Sequence, residues 1–132
     1  MVVEDVSMFR TLIRSQLNQL GITRIEMAPD GMAALELLLR EPDVDLILCD
    51  WHMTPMDGLV FCAKVQATPY LCGRKIPVLF MTGDDRLKDT DRRHRTLESA
   101  RDLGIIDILV KPFGTEELRA ALALCPDSPL AR

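Results

Sequence analysis

Five stretches of the chain read as strands from the order of their apolar and polar positions. Met1-Val2-Val3 runs into Glu4-Asp5, Val44 to Cys49 into Asp50, and Ile76 to Met81 into Thr82-Gly83. Ile105 to Val110, interrupted by Asp107, runs into Lys111-Pro112-Phe113. Short apolar runs bounded by turn residues are the pattern of strands buried on both faces. The remaining stretch, Ile22 to Ala28, alternates polar and apolar from Thr23 onward and reads as the second strand.

The segments between them carry helical spacing. Phe9, Leu12, Ile13, Gln16, Leu17 and Leu20 recur on one face, with Ser7 as the expected N-cap and Gly21 as the stop. Pro29-Asp30-Gly31 is a turn that lets Asp30 cap a helix from Met32 to Arg40, closed by Pro42. Leu59 to Gln66 reads as a short helix after Gly58, and Thr68 to Gly73 as a loop. Leu97, Ala100 and Leu103 form a stripe that Gly104 ends. Thr115 opens a last helix with Glu116 and Glu117 in its first turn, where the helix dipole favours acids, and with Leu118, Ala121, Leu122 and Cys125 on its buried face. Pro126 to Arg132 reads as a frayed tail.

Strands alternating with helices imply an α/β fold whose sheet is parallel, with right-handed crossovers and helices on both faces. Ligands of such sheets bind outside the carboxyl ends of the strands. Glu4, Asp5, Asp50, Thr82 and Lys111 all fall there. A buried carboxylate needs a partner, because an unpaired buried charge is costly. Three acids and one lysine at strand ends therefore point to a cation site with a nucleophile in it.

Composition narrows the classes. A chain of 132 residues suggests one domain, and 48% hydrophobic with 27% charged residues allows an ordinary core. A net charge of −4 argues against general nucleic-acid binding. No apolar run approaches the roughly 20 residues that span a bilayer, and no signal peptide is expected at Met1. Cys49, Cys62, Cys72 and Cys125 form no CxxC pair; Cys49 and Cys62 read as reduced core residues, which fits a cytoplasmic protein.

The acid pair Glu4-Asp5, the motif Asp50-x-x-Met53 with Met56-Asp57-Gly58, Thr82 followed by small Gly83, and Lys111-Pro112-Phe113 together resemble the receiver domain of bacterial two-component response regulators. The resemblance covers Met1 to Cys125, giving a receiver domain at 1–125 and a C-terminal tail at 126–132. It implies a doubly wound, flavodoxin-like sheet of five parallel strands in the order 2-1-3-4-5. It also implies a stand-alone, chemotaxis-type receiver and not an enzyme beyond its own phosphorylation and dephosphorylation. Asp50 would accept the phosphoryl group as an acyl phosphate. Glu4, Asp5, Asp50 and the backbone carbonyl of His52 would hold Mg²⁺. Lys111 would pair with Asp50 and then with a phosphate oxygen, and Thr82 would turn its hydroxyl onto the phosphate. The donor would be a sensor histidine kinase or a histidine phosphotransfer protein, and the output an unknown downstream protein, with no nucleic acid or membrane involved. A cis peptide is expected at Lys111-Pro112. By the same resemblance His52 and Asp84, two residues past the acceptor and the threonine, would influence the lifetime of the acyl phosphate.

Plainer readings stand beside these. Glu4-Asp5 reads alone as acids at a helix start, Lys111-Pro112 as a strand-ending turn and Thr82 as an N-cap. The imidazole of His52 faces solvent, His94 lies on the surface, and Asp57 caps or braces the loop at Gly58. Two rival functions remain: a receiver that binds partners independently of phosphate, and a small phosphatase with an Asp nucleophile. Against the phosphatase, the position two after Asp50 is His52 and no glycine-rich phosphate loop is present.

The sequence departs from the family at four places. Thr54 follows Met53 where proline is usual, and the proline is displaced to Pro55. Ile108 occupies the aromatic switch position, so the usual coupling of Thr82 to an aromatic ring does not carry over. The first strand is short. The interval from Thr82 to Lys111 is long by roughly two helical turns. The surplus falls in Asp84 to Arg95, which holds nine charges and one large apolar residue, Leu87. That stretch is expected to be a solvated helix extension or a mobile loop, with Arg92, Arg93 and Arg95 as a local basic patch for an acidic partner, and as the moving part in place of the aromatic switch.

Overall fold

The structure, a computed structural model, describes residues 1–125, so the tail expected at 126–132 lies outside the described residues. The elements are β1 (Val2–Val3), α1 (Ser7–Gln19), β2 (Met27–Ala28), α2 (Gly31–Arg40), β3 (Ile47–Asp50) and α3 (Gly58–Ala67). They continue with α4 (Pro69–Cys72), β4 (Val78–Thr82), α5 (Thr90–Ala100), β5 (Ile105–Val110) and α6 (Thr115–Leu122). The five strands are all parallel, in the order β2-β1-β3-β4-β5. Fold class and strand order are those the sequence implied.

The alternation of strand side chains divides the core in two. Val2, Leu48, Leu79, Met81 and Leu109 face α1 and α6, against Ile13, Leu17, Leu118 and Leu122. Val3, Ile47, Cys49, Phe80 and Ile108 face the other way, against Leu38, Phe61, Val65 and Ala100 of α2, α3 and α5. Asp107, which interrupts the fifth run, sits where the β4–β5 register slips between Val78 and Leu79; its Oδ1 accepts from the amide of Ile108 at 2.8 Å. The bulge lets a polar residue sit half-buried in β5 without an orphaned carboxylate.

Four local expectations need correction or refinement. The second strand, expected over 22–28, pairs only at Met27–Ala28. Its neighbour β1 has two residues, in register Val2↔Met27 and Val3↔Ala28, and an edge strand extends no further than its partner. Ser7 is not the N-cap: Val6 holds that position without a side-chain cap, and Ser7 is the first helical residue. The Val6 amide is engaged by Glu4 Oε1 at 3.3 Å, which ties the chain back before the helix starts. The loop expected over Thr68 to Gly73 contains the single turn α4, with Pro69 in its first turn, where a missing N–H costs nothing. The charged stretch is no loop: Asp85–Lys88 form a 3₁₀ turn that Asp84 caps, and α5 follows from Thr90. Leu87 is buried and anchors that turn to the core.

Asp30 and Asp57 cap as expected, accepting from Ala33 N at 2.8 Å and Val60 N at 2.9 Å. Among the described residues no helix is long and apolar enough to cross a membrane.

Candidate phosphoryl-acceptor site

Neighbouring strands deliver the polar side chains to one edge of the sheet. β1 ends at Glu4 and Asp5, β3 at Asp50, β4 at Thr82 and β5 at Lys111. One carboxylate oxygen from each of Glu4, Asp5 and Asp50 lies within 4.8 Å of the others. Glu4 is fully buried, Asp50 is 6% exposed, and Asp5 is exposed, so the cluster opens to solvent on the Asp5 side.

Lys111 bridges the two buried acids. Its Nζ lies 2.6 Å from Glu4 Oε2 and 3.3 Å from Asp50 Oδ1. The expected partner was Asp50, yet the shorter contact is to Glu4. Glu4 has no water to solvate it, so its charge has the greater need of the ammonium. Burial pushes the Glu4 carboxyl above its ordinary range, the hydrogen bond from Lys111 pulls it down, and the Asp50 charge raises it further. Arg10 Nη1 donates to the backbone oxygen of Glu4 at 2.7 Å, which pins the strand end itself.

The loop after Asp50 folds back onto the strand. Trp51 N donates to Met81 O at 2.8 Å, and Gly58 N donates to Trp51 O at 2.7 Å. A Cβ at Gly58 would lie 2.7 Å from Asp50 O and 3.1 Å from Trp51 Cα, so only glycine permits this approach. Met53 and Met56 are buried beneath the loop. The displaced proline forms a cis Thr54-Pro55 peptide, and Lys111-Pro112 is cis as expected. The exposed His52 imidazole stacks on Trp51, with ring centroids 5.6 Å apart and planes 5° from parallel. It therefore lies on the indole and contributes no ligand atom to the acid cluster.

Thr82 is fully buried, and its Oγ1 accepts from Asp84 N at 3.1 Å. Its carbonyl accepts from Lys111 N at 2.6 Å, so backbone pairing fixes hydroxyl and lysine side by side. Asp84 in turn accepts from Arg86 Nε at 2.9 Å and Nη2 at 2.8 Å, and this hydrogen bonding holds its carboxyl down at about 2. Ile108 is 2% exposed and belongs to the apolar layer with Phe80 and Leu87, so the position of the family's aromatic is a core residue.

Two contacts were not legible beforehand. The Phe9 ring lies with its centroid 4.7 Å from Lys111 Nζ, and Gln16 Nε2 donates to Phe113 O at 2.8 Å. In the sequence both residues read only as part of the stripe of α1, and no spacing rule ties them to a lysine in another element.

The family model for the response regulator receiver domain matches residues 1–123. The chain belongs to that family. Chemotaxis protein CheY-3 of Vibrio cholerae is 30% identical to this receiver domain over 122 residues, covering 92% of this chain and 86% of that one. Chemotaxis protein CheY of Pseudomonas aeruginosa is 31% identical over 119 residues, covering 90% and 88%. Among solved structures, the V. cholerae chemotaxis protein CheY4 superposes with a TM-score of 0.76 at 25% identity, covering 95% of both chains. The receiver domain of a P. aeruginosa sensor histidine kinase, with a magnesium ion coordinated in its active-site cleft, superposes with a TM-score of 0.70 at 29% identity, covering 91% of this chain and 89% of that one. The acid cluster of this receiver domain fits such an ion by its donor set: three carboxylates, two of them buried, with one ammonium between those two.

Proposed function

We propose that this receiver domain works as a response regulator that accepts a phosphoryl group on Asp50 from a histidine kinase or histidine phosphotransfer protein. The observation that carries the proposal is the placing of Lys111 against the acceptor carboxylate, beside two further acids, at the carboxyl edge of the sheet. Mg²⁺ held by Glu4, Asp5, Asp50 and the His52 carbonyl would neutralise the charge of the incoming phosphoryl group. An Asp50 carboxylate oxygen attacks phosphorus, the phosphorus–nitrogen bond of the phosphohistidine breaks, and its electron pair leaves with the imidazole. Lys111 pairs with a phosphoryl oxygen as a point charge, and the Thr82 hydroxyl turns from the Asp84 amide toward another. Attack of water on phosphorus later regenerates the Asp50 carboxylate. This is the only chemistry we assign, and the output passes through a downstream protein, in the cytoplasm.

Incubation with a small acyl-phosphate donor and Mg²⁺, followed by intact-mass measurement, tests the proposal. One phosphoryl group on the wild type and none on Asp50→Asn is the expected result; equal labelling of both moves the acceptor elsewhere.

One observation favours a second reading. With Ile108 buried in the core, no ring is available to follow Thr82, and output independent of phosphate fits that arrangement. A downstream partner that binds the phosphorylated and unmodified chains with equal affinity would support it.

A further inference from the structure

Lys111 ends in an ammonium with three N–H donors. Glu4 Oε2 at 2.6 Å and Asp50 Oδ1 at 3.3 Å take two of its sides. Another side is covered by the face of Phe9, whose ring centroid lies 4.7 Å from Nζ. The lysine side chain is left only 12% exposed. An aromatic face attracts a cation through its quadrupole and offers it no competing charge.

Phe9 does not act alone. Gln16 stands seven residues further along α1, two helical turns on and on the same face. Its Nε2 donates to Phe113 O at 2.8 Å, two residues past Lys111. One face of α1 thus holds the head of Lys111 through Phe9 and the backbone that carries it through Gln16.

We propose that Phe9 is a positioning residue for phosphoryl transfer to Asp50: its ring fixes the Lys111 ammonium between Glu4 and Asp50 and keeps water from it. The proposal rests on reading Asp50 as the acceptor. The ring supplies what the two carboxylates cannot. They pull the ammonium toward charge that would also hold a metal ion, whereas the ring holds it from the side and would take no part in binding the ion. When a phosphoryl oxygen arrives, the ammonium turns onto it without first leaving a neutralising partner on that side. Ordinary core packing of a half-buried phenylalanine predicts something different: any apolar side chain of similar volume would serve.

The test compares wild type, Phe9→Leu, Phe9→Tyr and Phe9→Trp, first for melting temperature. The rate of Asp50 labelling by a small acyl-phosphate donor with Mg²⁺, and the affinity for beryllium fluoride as a phosphoryl mimic, are then measured. Phe9→Leu should lower both by about three- to tenfold, the range a partly desolvated cation–π contact implies, and at least one aromatic variant should stay within about twofold of wild type. The Lys111 Hε resonances should be shifted upfield by the ring current in every aromatic variant and not in Phe9→Leu. Labelling and mimic affinity unchanged in a folded Phe9→Leu protein would overturn the positioning role alone. So would losses in the aromatic variants equal to that of leucine. A wild type that takes no phosphoryl group would overturn the reading of Asp50, and the role of Phe9 with it.

Discussion

Replacing Lys111 with methionine tests the electrostatic core of the site. Methionine keeps most of the apolar stem and removes the ammonium that bridges Glu4 and Asp50. Glu4 is then a carboxylate with no exposure to water, facing a second acid that is 6% exposed. Removing one partner of a buried ion pair costs about 3–5 kcal/mol, since the remaining charge is left uncompensated. At about 4 °C per kcal/mol for a domain of this size, the melting temperature should fall by roughly 12–20 °C. Two routes relieve the penalty. A proton on Glu4, whose carboxyl burial already pushes upward, removes the repulsion in acid. A divalent cation on the three acids replaces the lost positive charge, and ligand at about a hundred times its Kd returns roughly 2.7 kcal/mol. Urea unfolding, followed by the fluorescence of Trp51 beside Asp50, measures all four combinations of alkaline or acidic buffer with and without Mg²⁺. The deficit of Lys111→Met should be greatest in alkaline, Mg²⁺-free buffer and should shrink with either acid or Mg²⁺. A deficit below about 1 kcal/mol in that buffer, or one that neither treatment changes, refutes the reasoning.

Glu4→Gln reports on the same burial through pH. Because the folded chain binds the Glu4 proton more tightly than the unfolded chain, wild-type stability should fall as pH rises from the ordinary value of 4.5 through the raised one. Glu4→Gln should lose that part of the slope in urea unfolding against pH; equal slopes in the two proteins would contradict the assignment. Gly58→Ala should destabilise by about 1–3 kcal/mol and slow Asp50 labelling, because its new Cβ meets backbone, Asp50 O at 2.7 Å. Gly31→Ala meets Met56 Sδ at the same 2.7 Å, but a flexible thioether yields, so its cost should be the smaller of the two; the reverse order would show that the loop after Asp50 is not held by the Gly58 contact.

What was legible in the sequence was whatever depends on a few neighbouring residues. A strand buried on both faces must be apolar along its length, so a charge at its end stands out, and Glu4, Asp50 and Lys111 could be found that way. The extent of β2 could not, because it is set by the two residues of β1 beside it rather than by the alternation within 22–28. Ser7 looked like a cap because serine favours that position; the Glu4 bond to the Val6 amide, which shifts the start of the helix, depends on how the acid turns after β1. Phe9 reads as one more apolar position until β5 brings Lys111 over its ring.

The charged stretch after Thr82 marks the limit most clearly. Nine charges around one leucine suit a solvated helix and a mobile loop equally well, since composition measures how much surface can be buried and not whether the ends are tied. Here the first turn of the stretch is tied on both sides. Asp84 donates its amide to the Thr82 hydroxyl, grips Arg86 through its carboxylate and caps the 3₁₀ turn, while Leu87 sits in the layer that contains Ile108. A short polar segment with one buried leucine is thereby joined to the Asp50–Lys111 edge of the sheet through a single hydroxyl. If that hydroxyl turns toward a phosphoryl group, the Asp84 amide is the donor that loses its partner. With Ile108 in the core, the turn at 84–88 is the element tied to the Thr82 hydroxyl, through the Asp84 amide on one side and through Leu87 in the Ile108 layer on the other.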